Sequence, residues 1–357
     1  MATDTAPPTT PGTTDERVRQ VSTIRKLLGR PELGAVVGTA LVWVFFAVVA
    51  WDNNFVSWQV TAAILNRAAP LGILAVAVAL LMIAGEFDLS VGSMLGFAGM
   101  SIMIMVTPEA AGGFGWTLWP AVLAAFAIVL LAGFFNGFLV VSTGLPSFII
   151  TLGTLFIFRG LTVALSRLFT NRTQLGGLNE VPGYDLAFRL FAQPIRLFGA
   201  NFRIAIVWWI ALTAIATWVL LRTRQGNWIF GTGGAPQAAR NVGVPVTRVK
   251  IALFMLTACA ALIVAMLEIV PSQGADALRG TLREFEAIIA VVVGGTLLTG
   301  GYGSAVGAFF GALIFAMVQQ GIIITGVDGD WFRVFVGGVL VIAVVFNNYV
   351  RQRASRG

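Results

Sequence analysis

Ten long apolar segments occupy most of this chain, and they constrain its fold more than any other feature. The sequence predicts membrane spans near residues 35–51, 60–84, 90–106, 120–143, 146–166, 204–221, 250–270, 285–299, 304–325 and 332–348. A bilayer span needs about 20 apolar residues. Only helices and closed barrels satisfy their backbone groups in lipid, and these runs lack the alternating pattern of barrel strands. An all-α, multi-pass membrane protein with about ten spans is therefore expected.

Composition and missing residue types exclude several kinds of chemistry. Charged residues make up only 11% of the 357 residues, too few for the surface of a soluble enzyme. The chain has no histidine, and its one cysteine is Cys259, so histidine metal sites, Ser/His or Cys/His catalysis and disulfides are excluded. Neither lysine, Lys26 or Lys250, follows glycine, as a Walker-type phosphate loop requires. We expect no catalytic residue, metal or cofactor in this chain.

Charge and polarity divide the chain into a membrane domain and two tails. Residues 1–33 are predicted to be a disordered cytoplasmic tail, residues 34–350 the membrane domain, and residues 351–357 a second cytoplasmic tail. Arginine and lysine concentrate in the tails and in the loop at 222–250, which the positive-inside rule assigns to the cytoplasm. The loop at 167–203 is then external.

Two short predicted spans lie beside glycine-rich breaks at 85–89 and 300–303. Such breaks line a path or a binding site in many transporters, although a tight surface turn explains them equally well. The first break contains Glu86 and Asp88, which are costly at membrane depth unless they are paired or face water. Gating a polar path is the functional interpretation, and capping of the next helix by Asp88 or Ser90 is the structural one. Glu268, Glu284 and Glu286 are expected at the membrane interface.

Small residues dominate residues 223–245 of the cytoplasmic loop, which we call the inner loop, and they predict a short helix within it. Pro236 suits the first turn of a helix, and Gly243 and Pro245 suit its end. A slim helix of this kind could dock in a groove of another protein, whereas a plain basic loop at the lipid headgroups is the simpler alternative. The candidate residues for this contact are Gly234, Ala235, Pro236, Ala238, Ala239, Arg240, Asn241 and Gly243.

Several of these stretches resemble the permease subunits of bacterial sugar ABC importers of the ribose and xylose type. The resemblance rests on the runs Asp88–Ser93, Pro146–Ile149 with Thr151 and Leu152, Phe158–Gly160, the inner loop, and Gly294–Thr296 with Gly300 and Gly301. It covers residues 34 to 350. Glu86 departs from the ribose type, which has glycine there, and agrees with the acidic residue of the xylose type.

The resemblance implies a ten-helix fold like that of the type II permease of the vitamin B12 importer. It also implies a homodimer or heterodimer of permeases in the bacterial cytoplasmic membrane, both termini inside, and no nucleic-acid partner. ATPase subunits that bind Mg-ATP would dock on the short helix of the inner loop, which would then be the coupling helix. An external binding protein would deliver a pentose or hexose. The chain itself would catalyse no bond change.

Residues of two kinds are candidates for contact with the cargo or the binding protein. The translocation path or its gate is assigned to Glu86, Asp88, Ser90, Ser93, Asn136, Ser147, Thr151, Thr154 and Arg159. Docking of the binding protein is assigned to Arg172, Arg189, Arg196 and Arg203. Each has a simpler alternative: serine and threonine often bond their own helix, Arg159 could extend to the outer surface, and the loop arginines could face lipid headgroups.

Three other functions remain open from the sequence. A permease of the same type could carry a nucleoside, inositol or a signalling furanone instead of a sugar. An ion-coupled secondary transporter would need a carboxylate inside the bundle, for which Glu86, Asp88 and Glu268 are the candidates. A channel would need a filter sequence, and none is evident.

Overall fold

The computed structural model describes residues 31–328, 330–332, 334–335, 337–338 and 341. Most of the predicted N-terminal tail, the C-terminal tail and most of the predicted last span lie outside these residues. The first helix begins at Pro31, so residues 31–33 belong to it and not to the tail. Proline in the first turn and Glu32 beside the helix N-terminus both favour a start there.

The described chain is mostly helical, as the apolar segments predict. The helices are α1 (Pro31–Val49), α2 (Trp58–Ile83), α3 (Val91–Val106), α4 (Leu118–Thr143), α5 (Ser147–Thr170), α6 (Tyr184–Ala187), α7 (Ala205–Arg222), α8 (Arg224–Gly234), α9 (Pro236–Asn241), α10 (Val246–Ser272), α11 (Arg283–Val293) and α12 (Ala305–Ile324). Single 3₁₀ turns occur at Glu109–Ala111 and Leu178–Glu180, and a π-helical turn at Phe188–Ala192 follows α6.

Seven helices in the described part of the chain are long and apolar enough to cross a membrane: α1, α2, α4, α5, α7, α10 and α12. The sixteen residues of α3 form a shorter apolar helix. The predicted span at 285–299 is wrong in its extent, because α11 has only 11 residues and ends at Val293. Glycines end it: Gly294 is followed by Gly295, whose φ of 88° does not continue a helix. The total of ten spans remains a prediction.

Helices α2 and α10 form the centre of the bundle. In their most apolar stretches, 78% and 72% of the residues are buried, against 17% in α1 and 22% in α5. Helix α10 packs on α2, α3 and α4, and α12 packs on α1, α2 and α11. The outer helices thus leave wide apolar faces uncovered, as expected of helices that contact lipid.

Short strands join two loops at one end of the bundle. Strand β1 (Gln174–Leu175) pairs antiparallel with β4 (Ala275–Asp276), and β2 (Pro194–Leu197) forms a hairpin with β3 (Ala200–Arg203). We call this the outer end, because both loops are predicted to be external. Gly85, Gly233 and Gly300 meet at the opposite end, which we call the inner end. The paired segments agree with the predicted alternation of the spans; which end faces the cytoplasm remains a prediction from the basic residues.

Candidate functional site

The break between α2 and α3 is organised around one buried carboxylate. Asp88 is 0% exposed. Its Oδ1 accepts hydrogen bonds from the Ser90 backbone N (2.9 Å) and from Ser90 Oγ (2.6 Å), and its Oδ2 accepts one from Thr257 Oγ1 (2.6 Å). These three bonds offset part of the cost of removing the carboxylate from water. Asp88 therefore holds the first break, which we define as residues 84–90, against α10.

The predicted capping of α3 occurs only in part. Ser90 is the N-cap residue of α3, but its side chain makes no capping bond to the helix. Its Oγ instead accepts a hydrogen bond from Asn136 Nδ2 (2.8 Å), while Ser93 Oγ donates to the Ser90 carbonyl (2.8 Å). Asn136 and Asp88 thus meet at Ser90, and this chain of bonds ties α4, α3 and α10 together. Thr257, which completes it, was missed from the sequence, although a threonine in so apolar a helix was a signal.

Residues of α5 that were assigned to the path satisfy the backbone of the first break. Ser147 Oγ accepts a hydrogen bond from Phe87 N (2.9 Å), and Thr151 Oγ1 accepts one from Leu89 N (3.0 Å). Thr154 Oγ1 donates to its own helix, at the Thr151 carbonyl (3.2 Å). The simpler alternative is thus observed for Thr154 and also for Thr151, whose Oγ1 donates to the Ser147 carbonyl of its own helix (2.8 Å).

An ion pair joins the first break to the beginning of α10. Lys250 Nζ lies against Glu86 Oε1, and both side chains are largely buried, with 19% and 10% of their surface exposed. Lys250 comes a few residues after α9 in the chain. The inner loop, defined as residues 223–245, is therefore linked to the first break through α10.

A second polar site lies near the middle of α5. Arg159 Nη1 donates to the Arg279 carbonyl (2.9 Å), and Arg159 is half-buried, so it does not extend to the outer surface. Arg279 belongs to residues 273–282, which leave the β1–β4 pairing and fold back into the bundle; we call them the re-entrant segment. Gly280 in this segment packs on the Gly92 carbonyl of α3.

Glu284, which was expected at the membrane interface, is buried within the protein, and its depth in the membrane remains a prediction. Glu284 is 3% exposed, and its Oε2 packs on Gly92 without a hydrogen-bond partner among the described residues. The reason is tertiary: the re-entrant segment carries the start of α11 into the bundle. Glu286 is half-buried and pairs with Arg283, with Oε2 at 3.0 Å from Nη1, and Glu268 Oε1 lies 3.6 Å from Arg283 Nη2.

Glycines of α3 and α12 permit close packing of the backbone. A Cβ at Gly96 would overlap the Arg279 carbonyl, and one at Gly92 would lie 2.6 Å from the Gly280 carbonyl. In the same way, Gly311 of α12 meets the Ala290 carbonyl of α11, and Gly307 meets the Gly294 carbonyl just after α11. The re-entrant segment therefore reaches α3 only because glycine leaves room for it.

The inner loop contains the predicted short helix and one more. Helix α9 begins at Pro236 and ends at Asn241, and Gly243 follows with a φ of 86°. Ala239 is buried against the bundle, whereas Gly234, Ala235, Ala238, Arg240 and Asn241 are exposed. The stretch before it, read from the sequence as loop, is helix α8, whose first turn is capped by Thr223 Oγ1 accepting from Gly226 N (3.3 Å).

Three glycine-rich segments converge at the inner end. Gly301 N donates to the Ile83 carbonyl at the end of α2 (2.8 Å), and Gly233 packs on that same carbonyl. A Cβ at Gly300 would lie 2.8 Å from Gly85 Cα. The inner loop therefore makes backbone contact with the first break and with the second break, which we define as residues 294–304. This meeting of three distant segments could not be read from the sequence.

The four arginines assigned to docking are all exposed, and they lie on several elements of the loop between α5 and α7. Arg172 lies just after α5, Arg189 in the π-helical turn, and Arg196 on the β2–β3 hairpin. Arg203 ends that hairpin, and its backbone N donates to Asn66 Oδ1 of α2 (2.8 Å). Their role in docking remains a prediction.

Comparisons with known proteins agree with this architecture. The model of the family "Branched-chain amino acid transport system / permease component" matches residues 60–344. The autoinducer 2 import system permease protein LsrC of Enterobacter sp. (strain 638) is 31% identical over 338 residues, which cover 93% of this chain and 91% of that protein. The fructose import permease protein FrcC of Rhizobium meliloti is 29% identical, over 91% of this chain and 87% of FrcC.

A third relative extends the match further along the chain. The probable ABC transporter permease protein y4mJ of Sinorhizobium fredii is 32% identical over 346 residues, or 96% of each chain. No solved structure matches the chain. The extent of the family match and the identity to these permeases establish that this chain belongs to the branched-chain amino acid transport system / permease component family of ABC importers.

Proposed function

We propose that this chain is the membrane subunit of an ATP-driven importer that carries a monosaccharide, a pentose or a hexose, into a bacterial cell. The relatives that import fructose and autoinducer 2 support a small, polyhydroxylated cargo. The external binding protein delivers the cargo, and separate ATPase subunits bind and hydrolyse Mg-ATP. Two permeases pair as a homodimer or heterodimer, each with ten spans and a fold of the vitamin B12 importer type. This chain changes no covalent bond of the cargo.

The observation that carries the proposal is the backbone contact between the inner loop and both breaks. Closure of the ATPase dimer displaces α9 and with it Gly233, which packs directly on the Ile83 carbonyl. Backbone atoms in contact cannot absorb a displacement as a flexible side chain does. The motion therefore reaches the first break, and through Gly301 the second, so that the helices beside them change their tilt and open the path alternately.

The exposed face of α9, at the inner end of the bundle, suits a groove on another protein. Ala238 and Arg240 are exposed there, and Val242, just beyond the helix, is 80% exposed. Small residues and one outward apolar side chain permit close approach, and Arg240 adds a charge that an acidic partner would recognise. The buried Ala239 anchors the helix to the bundle at the same time.

The polar residues of the first break act as a gate in this mechanism. Asp88 in the break bonds to α10, and Ser147 and Thr151 of α5 bond to the backbone of the break, which leads directly into α3. Contact with sugar is assigned to Arg159, which is half-buried near the middle of α5. A transport site should bind weakly enough to release its cargo, so few strong contacts are needed.

The test is a pair of substitutions on α9 with a charge-matched control. Ala238→Trp and Arg240→Glu should each lower ATPase co-purification and ATP-driven uptake in membrane vesicles about tenfold or more, at unchanged expression. Arg222→Glu makes the same charge change at an exposed inner-end residue outside α9, and it should leave both measurements near wild type. Normal uptake and normal ATPase association in both α9 variants would refute the coupling role.

The same vesicles separate this proposal from ion-coupled transport. A secondary transporter would lose uptake when the proton and sodium gradients are collapsed, whereas an ATP-driven importer would lose it only when ATP is withdrawn. The carboxylates considered for ion coupling all have partners: Glu86 pairs with Lys250, Asp88 accepts three hydrogen bonds, and Glu268 lies near Arg283. These three carboxylates therefore give no separate support to ion coupling, and the vesicle assay also tests Glu284, whose Oε2 is buried without a hydrogen-bond partner among the described residues.

A further inference from the structure

A polar cavity of about 390 Å³ lies at the outer end, between α2, α10 and α12. Four arginines line it, Arg67, Arg203, Arg279 and Arg283, together with one acidic residue, Glu268. We call it the outer arginine cavity. Its volume falls within the range of about 300–1,000 Å³ that is common for small-molecule sites.

The positive charge of this cavity is only partly compensated. Arg283 is the arginine with acidic neighbours, since its guanidinium lies 3.6 Å from Glu268 and 3.0 Å from Glu286. Arg279 Nη1 donates to the neutral Ser272 Oγ at 3.1 Å. Within the described residues, neither Arg67 nor Arg203 has an ion-pair partner. Guanidinium groups stay charged at all physiological pH values, so the excess of positive charge cannot be removed by loss of protons.

The four arginines are arranged by depth. Arg67 and Arg203 are exposed and form the mouth, whereas Arg279 and Arg283 are half-buried and form the floor. Hydrogen bonds hold the mouth of the cavity in place. Asn66 Oδ1 accepts from Arg203 N (2.8 Å), and Asn66 Nδ2 donates to the Asn201 carbonyl (2.9 Å). These two bonds fix the β2–β3 hairpin to α2 and so bring Arg203 beside Arg67.

We propose that the outer arginine cavity binds a small oxyanion group, a phosphate or a carboxylate. Guanidinium groups recognise both in a bidentate manner, and their attraction to an anion strengthens where the surroundings are poorly solvated. The group has two possible sources: a free anion from the external solution or the headgroup of an anionic lipid. The inference does not depend on the cargo or on ATP-driven transport, because it concerns binding to the isolated chain.

The test uses the purified full-length chain in a neutral detergent, titrated with inorganic phosphate. Thermal unfolding is followed at constant ionic strength, with chloride as the reference anion. Phosphate should raise the unfolding midpoint of the wild type in a saturable way. In Arg67→Gln/Arg203→Gln the apparent affinity should fall about tenfold or more. Arg172→Gln/Arg189→Gln removes the same charge from exposed outer-end arginines that do not line the cavity, and it should behave as wild type.

Nanodiscs identify the source of the oxyanion. Stabilisation by phosphatidylglycerol over phosphatidylcholine, lost in Arg67→Gln/Arg203→Gln, would support the proposal and assign the group to lipid. A response to free phosphate that persists in phosphatidylcholine nanodiscs would support it and assign the group to a soluble anion. The proposal is overturned if neither anion stabilises the wild type more than chloride or phosphatidylcholine does. It is equally overturned if the two double variants respond alike.

Discussion

The two ends of the helix bundle differ in how their charged side chains are paired and in how closely their backbones pack. At the inner end, Glu86 and Asp88 each have a partner, and the glycine backbones of three segments lie in direct contact. At the outer end, Arg67 and Arg203 surround a cavity without an acidic partner in the described structure. Close-packed backbones beside hydrogen-bonded carboxylates transmit displacement. Arginine side chains that face a cavity without an acidic partner favour the binding of an anion. If both proposals hold, coupling and anion recognition use separate ends of the same helices α2 and α10.

The sharpest test of the inner end is a single methyl group. At Gly233→Ala the new Cβ would overlap the Ile83 carbonyl and lie 2.7 Å from Gly301 N, and neither backbone atom can move aside cheaply. We expect uptake to fall to background while the ATPase subunits still co-purify, because α9 itself is unchanged.

Gly231→Ala is the matched control for this substitution. It lies in the same helix α8, and its Cβ would meet Ala239 Cβ at 3.6 Å, an ordinary contact. Uptake and ATPase association should both remain near wild type. Equal uptake by the two variants would show that tight packing at the inner end has no part in coupling.

A smaller effect is expected from the hydrogen bonds of Asp88. Thr257→Val keeps the side-chain shape and removes the donor to Asp88 Oδ2, so the free energy of unfolding should fall by about 1.5–3 kcal/mol. Thr162→Val is the control, since Thr162 is equally buried but donates only to the Phe158 carbonyl of its own helix. Chemical denaturation in detergent measures both. Similar losses for the two variants would mean that the Asp88 network adds no special stability.

Asp88→Asn asks whether that network also gates the path. It keeps the shape of the side chain and removes its charge, so we expect uptake to fall more than expression. Should expression and uptake fall together, Asp88 serves folding alone, and the inner end would differ from the outer end in stability rather than in function.

The smallest effects are expected at the surface of the outer end. Arg172, Arg189 and Arg196 are exposed and lie outside the cavity, and a surface charge pair contributes only about 0–1 kcal/mol. Their joint replacement by glutamine should weaken docking of the binding protein several-fold at low salt and little at high salt. Binding measured at two ionic strengths in nanodiscs checks this. Unchanged affinity at low salt would assign these arginines to the lipid surface.

Local pattern was sufficient for features that depend on one stretch of chain. The length of apolar runs predicted the long helices, and Pro236 with Gly243 predicted α9. It placed the end of one helix wrongly. The segment at 285–299 is apolar enough to suggest a span, yet α11 ends at Val293, where Gly294 and the positive φ of Gly295 stop the helix.

The structure brings several candidate residues together, but their role in a path or gate stays a prediction. Ser147, Thr151 and Asp88 were selected as polar groups in an apolar bundle, and all three take part in hydrogen bonds at the first break. Their bonds to Phe87, Leu89 and Thr257 join segments about sixty or more residues apart, and no local pattern encodes such pairs. The burial of Glu284 was not predicted for the same reason, since it depends on how the re-entrant segment folds against Gly92.

The sequence by itself determined that this chain is a helical membrane protein with a short helix in its inner loop and no nucleotide loop of its own. Those properties follow from the apolar content, from single residues such as Pro236, and from residue types that are absent. The tertiary structure alone decided that Gly85, Gly233 and Gly300 meet and that Arg67 and Arg203 share a cavity. Apolar helices in lipid are hydrophobic on every side, so periodicity does not tell which face packs on which neighbour.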